Sequence, residues 1–335
     1  MRLRSISSGV ALLVACALAA AACSSSAKAS GAAATPTTAT PPTTVVHRVP
    51  ASVQETSAAC NRPHPSGQVA QTFTFEGKPR TYRLYVPPAY TGTKNVPLVF
   101  NFHGFGSNAV QQMLYGNFKP EADKSDFLIV APDGQESPGG RHFNLSQEKG
   151  LQNDIDMVGA LLKHIEATLC VDSSRVYATG MSDGGAMTSV LACTDNDKFA
   201  AFAPVAVIIY CASSTTKPVA LEAFDGTADP IVPYNGGAVH CCGGTVLGSK
   251  PVAMANWGSH DRCNKTFTDT RLGSQVIRRT WSGCAGSSAV VFYIIVGGGH
   301  TWPGAIPLPK LGLTTKQVDA SKEIWKFFSA HSLTN

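Results

Sequence analysis

Beyond about residue 60 the chain alternates short, densely apolar runs with longer stretches whose apolar residues recur at helical spacing. Val96–Phe102 and Phe127–Ala131 are continuous apolar runs, the pattern of strands buried on both faces. Arg175–Thr179, Ala201–Ile208, Pro218–Phe224, Gln275–Trp281 and Ala289–Val296 read as further strands. Between them, Asn153 caps a predicted helix in which Ile155, Val158, Leu161, Leu162, Ile165 and Leu169 share one face. Ala186–Ala192 and Pro251–His260 predict two more helices, and Lys316–Ala330 a closing amphipathic one. Near the start of this region, Thr72–Phe75, the turn Gly77-Lys78-Pro79 and Thr81–Val86 predict a hairpin, with Phe73 and Phe75 on one face and Tyr82, Leu84 and Val86 on another. Strands alternating with helices imply βαβ units, hence an α/β fold with a mostly parallel central sheet and helices on both faces. No internal repeat interrupts the pattern.

The first 59 residues depart from it. Met1-Arg2-Leu3-Arg4 is basic and Val10–Ala22 is apolar with small residues at its end, which is an export signal; a spanning helix would need about 20 apolar residues. Cys23 follows Ala20-Ala21-Ala22 and precedes three serines, which resembles a bacterial lipoprotein signal in which this cysteine is lipidated. Leu13-Val14-Ala15-Cys16 is a competing site with a very short apolar region, and plain secretion is the other alternative. Residues 24–59 are rich in alanine, serine, threonine and proline and hold few large apolar residues, so they read as a disordered tether. The predicted organisation is a signal over residues 1–23, a tether over 24–59 and one folded domain over 60–335.

Composition narrows the function. With 44% hydrophobic and 15% charged residues in 335, the chain has material for one sizeable core. The formal charge of +5 comes without any block of lysines and arginines, which argues against nucleic acid as a partner. Setting aside Cys16 and Cys23, eight cysteines remain, an even number that predicts disulfides in an oxidising compartment outside the cell membrane.

Candidate chemistry centres on Gly180-Met181-Ser182-Asp183-Gly184, a G-x-S-x-G nucleophile elbow. Its context is a predicted strand before and a predicted helix after, as the motif requires. A serine hydroxyl needs a base to take its proton, and the base needs an anion to orient it. On this fold the partners follow in the order serine, acid, histidine. Asp225 and Asp229 both follow the strand ending at Phe224, and Asp229, on the turn, has room to reach a histidine. His300 follows Gly297-Gly298-Gly299 after the last strand and is the candidate base. The oxyanion donors are then the amides of Asp183 and of Phe105, the latter in the His103-Gly104-Phe105-Gly106 loop. His103 reads as an organiser of that loop. Asp154 and Asp156 read as first-turn charges of the Asn153-capped helix, favoured by its dipole. This chemistry calls for no cofactor and no metal.

These motifs, with Gly226-Thr227-Ala228-Asp229-Pro230-Ile231-Val232-Pro233-Tyr234, Trp281-Ser282-Gly283-Cys284 and Gly297-Gly298-Gly299-His300-Thr301-Trp302-Pro303-Gly304, resemble the secreted poly(3-hydroxybutyrate) depolymerase and feruloyl esterase type of α/β-hydrolase, which includes actinobacterial lipoprotein esterases. The resemblance runs from about Tyr82 to the C-terminus. It implies Ser182 as nucleophile, Asp229 as acid and His300 as base of an esterase working through an acyl-enzyme. The chain departs from the family at Asp183, where asparagine is frequent, and at Asp225, where histidine is usual. The resemblance supports the pairings Cys193 with Cys211 and Cys263 with Cys284; Cys60 with Cys170 is a residual pairing. Cys241 and Cys242 form a vicinal disulfide, pair elsewhere, or join His240 at a metal. Trp302 forms a wall of the substrate pocket or packs beneath the His300 loop. The expected activity is hydrolysis of a carboxylic ester, feruloyl or acetyl on polysaccharide, a hydroxyalkanoate polyester or a cell-envelope ester, by an exported and lipid-anchored protein. A peptidase of the same fold and a non-catalytic surface-binding protein are the alternatives.

Overall fold

The computed structural model describes residues 60–145, 148–211, 217–241 and 245–333. The export signal with Cys16 and Cys23, the tether, and Cys242 lie outside the described residues.

The predicted hairpin forms from β1 (Gly67–Phe75) and β2 (Lys78–Val86). Its face assignment is corrected: Phe73 pairs across from Arg80, so Tyr82, two residues further on, points to the same side of the sheet as Phe73. The two rings meet edge-on with centroids 6.1 Å apart. There follow β3 (Val96–Phe102), α1 (Ala109–Tyr115), α2 (Lys119–Ser125), β4 (Leu128–Pro132), α3 (Asp154–Thr168), β5 (Val171–Met181), α4 (Asp183–Thr194), β6 (Ala201–Val205) and β7 (Leu221–Gly226). The short pair β8 (Gly237–Ala238) and β9 (Val246–Leu247) precedes α5 (Lys250–His260), β10 (Phe267–Arg271), β11 (Val276–Trp281), β12 (Val290–Ile295) and α6 (Ala320–Ser329).

Ten strands form one sheet in the order β1-β2-β4-β3-β5-β6-β7-β12-β11-β10. From β4 to β12 every neighbouring pair is parallel, and antiparallel strands flank this centre on both sides. The continuous apolar run of β3 is explained by its two neighbours and two faces: Leu98, Phe100 and Phe102 join a core with Met157, Leu161 and Trp257 from α3 and α5, while Val99 joins the opposite core with Met113, Ile324 and Phe328 from α1 and α6. Burial of this kind contributes roughly 25 cal/mol per Å² of apolar surface.

Disulfides join Cys60 to Cys170, Cys193 to Cys211 and Cys263 to Cys284. Cys241 is also disulfide-bonded, and the His240 ring is hydrogen-bonded to the Pro230 carbonyl at 2.8 Å. The outermost strand, β10, was not legible as a strand, because Phe267–Arg271 is polar and wholly exposed. Its Asp269 receives two hydrogen bonds of 2.8 Å from Arg279 of β11, whose guanidinium lies 3.6 Å from the Phe267 ring centroid.

Candidate active site

The parallel strands deliver their carboxyl ends to one edge of the sheet, and the elbow lies there. β5 runs to Met181 and α4 starts at Asp183, so Ser182 alone makes the turn. It does so at φ 59° and ψ −115°, a conformation that costs a non-glycine residue about 1–3 kcal/mol. The Ser182 amide donates to the Val205 carbonyl at 2.9 Å, tying the turn to β6. The turn has no room for larger neighbours: a Cβ on Gly184 would lie 2.2 Å from the Phe102 carbonyl oxygen. The spacing of small residues in the motif is thus set by the approach of β3 to the first turn of α4.

His300 hangs from the loop after β12. Its amide donates to the Leu311 carbonyl at 2.7 Å and that of Gly299 to Leu313 at 2.9 Å, which fixes the loop against residues 311–313. The imidazole is 4% exposed, and Nδ1 is 2.8 Å from Asp229 Oδ2. Asp229 Oδ1 accepts the amides of Ile231 and Val232, both at 2.8 Å. Burial works to raise the Asp229 pKa, but the His300 hydrogen bond and charge, Lys250 and the Val232 amide together hold it below the usual carboxylate value.

Asp225 does not touch the histidine through a hydrogen bond. It is the penultimate residue of β7, 2% exposed, and pairs with the Lys250 ammonium, which also donates to Asp229 Oδ2 at 3.1 Å and to the Ala206 carbonyl at 2.9 Å. Lys250 is a residue that sequence reasoning missed. Ser249-Lys250-Pro251 reads as an ordinary helix start, and only the folded chain shows a lysine buried at 1% exposure between two carboxylates.

The loop after β3 lies beside the elbow; a Cβ on Gly104 would stand 3.3 Å from Ser182 Cβ. His103 is fully buried and organises the loop, with Nδ1 2.7 Å from the Gly104 carbonyl and Nε2 accepting the Gly134 amide at 2.9 Å. Since Nε2 accepts, the ring is neutral, in keeping with burial lowering its pKa. Asp183 opens α4, where its amide is one of the helix donors left without an intrahelical partner. Its carboxylate accepts the Phe143 amide at 2.8 Å, and burial pushes its pKa up to about 6 against that hydrogen bond and the charge of His142. Asp154 and Asp156 sit in the first turn of α3, and Asp154 pairs with buried Arg80, a structural role.

Two cavities meet at Ser182. One of about 630 Å³ is lined by Ser182, His300, Phe105, Leu114, Ile306 and Leu308. The other, about 920 Å³, runs from Ser182 and Phe105 past Asp183, His142, Asn144 and Glu148. Trp302 belongs to neither wall. It is 1% exposed, meets Phe118 edge-on and donates from Nε1 to Ser321 Oγ at 3.0 Å, so the pocket-wall expectation gives way to packing beneath the histidine loop.

A doubly flanked parallel sheet with a serine elbow at its carboxyl edge defines an α/β-hydrolase. Comparison with known proteins agrees. Residues 80–239 match the family model described as Esterase PHB depolymerase. The chain is 30% identical over 224 residues to feruloyl esterase B of Piromyces equi, spanning 64% of this chain and 41% of that protein. It is 29% identical over 261 residues to a probable feruloyl esterase C of Aspergillus oryzae, spanning 75% of this chain and 84% of that one. The acetyl xylan esterase of Aspergillus awamori shares the fold, with a TM-score of 0.54, 16% identity, and coverage of 78% of this chain and 99% of its own. These similarities support a PHB depolymerase and feruloyl esterase type of α/β-hydrolase. The chain is a carboxylic ester hydrolase.

Proposed function

We propose that this esterase is an exported serine enzyme in which Ser182 is the nucleophile, His300 the general base and Asp229 the acid that orients it. The observation that carries the reading is the 2.8 Å contact between His300 Nδ1 and Asp229, with His300 and the strained Ser182 lining one cavity. His300 Nε2 takes the Ser182 proton as Oγ attacks the ester carbonyl, and Asp229 stabilises the imidazolium without itself accepting the proton. The amides of Phe105 and Asp183 receive the oxyanion. Collapse expels the alcohol, protonated by His300, and leaves an acyl-serine that water opens by the same steps in reverse roles.

The substrate proposed is an ester of an aromatic carboxylic acid with a carbohydrate hydroxyl. The apolar cavity beside Leu114, Ile306 and Leu308 suits a flat acyl group, and the cavity with Asp183, His142, Asn144 and Glu148 offers polar partners to an alcohol such as a sugar. Relatives described as feruloyl esterases support the same choice. The signal over residues 1–23 and the disulfides support export, with lipidation at Cys23 and a tether over 24–59 holding the catalytic domain of 60–335 at the membrane.

The test is a fluorophosphonate probe followed by hydrolysis assays. Ser182 should be labelled, Ser182→Ala should lose hydrolysis of methyl ferulate by about 10⁴-fold or more while keeping its fold, and hydroxybutyrate oligomers and peptide amides should turn over more slowly than the ferulate. Wild-type turnover by Ser182→Ala would end the assignment of the nucleophile; preference for the oligomers would end that of the substrate.

A further inference from the structure

The cluster behind Asp229 contains more charge than orienting a histidine requires. Lys250 Nζ donates to the Ala206 carbonyl and to Asp229 Oδ2 and forms an ion pair with Asp225 Oδ1. Ala206, just past β6, takes φ 64°, a left-handed conformation disfavoured for a residue with a Cβ, and its carbonyl is one of those acceptors. Asp229 Oδ2 in turn is shared between Lys250 and His300 Nδ1. A buried lysine set against Asp229 alone would cancel the charge that an imidazolium at His300 needs. Asp225 offsets this, because two carboxylates against one ammonium leave the cluster one negative charge in excess.

We propose that Lys250 and Asp225 are positioning residues of the esterase site. The Lys250 ammonium fixes Asp229 Oδ2 in line with His300, and the Asp225 carboxylate neutralises that ammonium so that the imidazolium formed in turnover still faces net negative charge. This rests on the roles given above to Ser182, His300 and Asp229. The ionisable groups facing Asp225 are Lys250 from α5, Asp229 from the loop after β7, His300 from the loop after β12, and Tyr234. Burial first, and then the charge of Asp225, raise the Tyr234 hydroxyl to about 12, so it stays neutral in the working range. Burial pushes the Asp225 carboxyl up to about 6, against the pull of Lys250.

The experiment is the pH profile of kcat/KM for p-nitrophenyl acetate, whose acid limb reports the essential base of the free enzyme. Wild type, Asp225→Asn, Lys250→Met, the double variant Asp225→Asn/Lys250→Met and Ser182→Ala are compared. Asp225→Asn should move the acid limb down by about one pH unit, because the imidazolium loses the field of one buried carboxylate. Lys250→Met should lower kcat by about tenfold or more with KM changed by less than about threefold, since Asp229 loses an anchor of transition-state geometry. The double variant should return the limb to within a few tenths of wild type while kcat stays low; it removes both members of a buried pair and so carries the kcat test if Lys250→Met fails to fold. A limb unmoved in Asp225→Asn, or wild-type kcat in the lysine variants, overturns the proposal. Turnover by Ser182→Ala at the wild-type rate would instead overturn the reading beneath it.

Discussion

Gly184, in the first turn of α4, approaches the backbone of Phe102 so closely that a Cβ would stand 2.2 Å from its carbonyl oxygen. The obstacle is backbone at the end of β3, which cannot rotate away as a side chain can. Gly184→Ala should therefore force the helix off the sheet, lowering stability by about 3 kcal/mol and abolishing fluorophosphonate labelling of Ser182. A thermal melt within a degree or two of wild type would contradict this.

Asp229 holds the His300 ring through one oxygen and two loop amides through the other. Asp229→Asn keeps the shape but places an amide where the carboxylate accepts the Nδ1 proton. kcat should fall by about 10³–10⁴-fold with a much smaller change in KM. Steady-state kinetics on methyl ferulate decide it.

Asp183 makes stability depend on pH. Its folded value of about 6 lies above the ordinary 3.8, so the native state binds the proton more tightly than the unfolded chain does. Its contribution is then favourable at low pH and is lost as pH rises from about 4 through about 6, to the extent of roughly 3 kcal/mol. Asp183→Asn retains an oxygen for the Phe143 amide and carries no charge. It should flatten this part of the curve and raise the denaturant midpoint at about pH 8 more than at about pH 4.5.

Trp302 fills space under the histidine loop and satisfies its indole N–H on Ser321. Trp302→Phe should cost about 1–3 kcal/mol of stability and leave KM for both ferulate and acetate esters within about twofold of wild type. A large change in KM for the aromatic ester alone would return the residue to the substrate pocket.

Cys60 is joined to Cys170 across 110 residues of sequence. Replacing both by alanine should lower stability by about 4 kcal/mol through the freedom returned to the unfolded chain. Chemical denaturation of the double variant beside wild type, both without reductant, measures it.

Much of this fold was legible because its strands are buried on both faces and its helices on one. β3 was readable to the residue, and α3 to its Asn153 cap, since both patterns are enforced by packing. Other boundaries shifted: β5, for example, begins at Val171, four residues before the Arg175 start read from the sequence, through intervening residues that are half-buried or exposed. The short helices α1 and α2 and the exposed β10 lack such enforcement and were not read. At the site, the elbow and the glycine-rich histidine loop were legible because close approach restricts them to small residues. Lys250 was not, for nothing local distinguishes a lysine that will be buried from one that will not. Its place is decided by Asp225, Asp229 and Ala206, which reach it from one strand and two loops.

The exposed strand β10 bears on behaviour at high concentration. An edge of this sheet offers unpaired amides and carbonyls to any extended chain that comes alongside. Here that edge carries Thr268, Asp269, Thr270 and Arg271, and its one aromatic ring, Phe267, lies under the guanidinium of Arg279. A second molecule laying its own strand there would have to strip water from these polar side chains. The polarity that hid β10 from sequence reading thus guards the protein against joining edge to edge with its own copies.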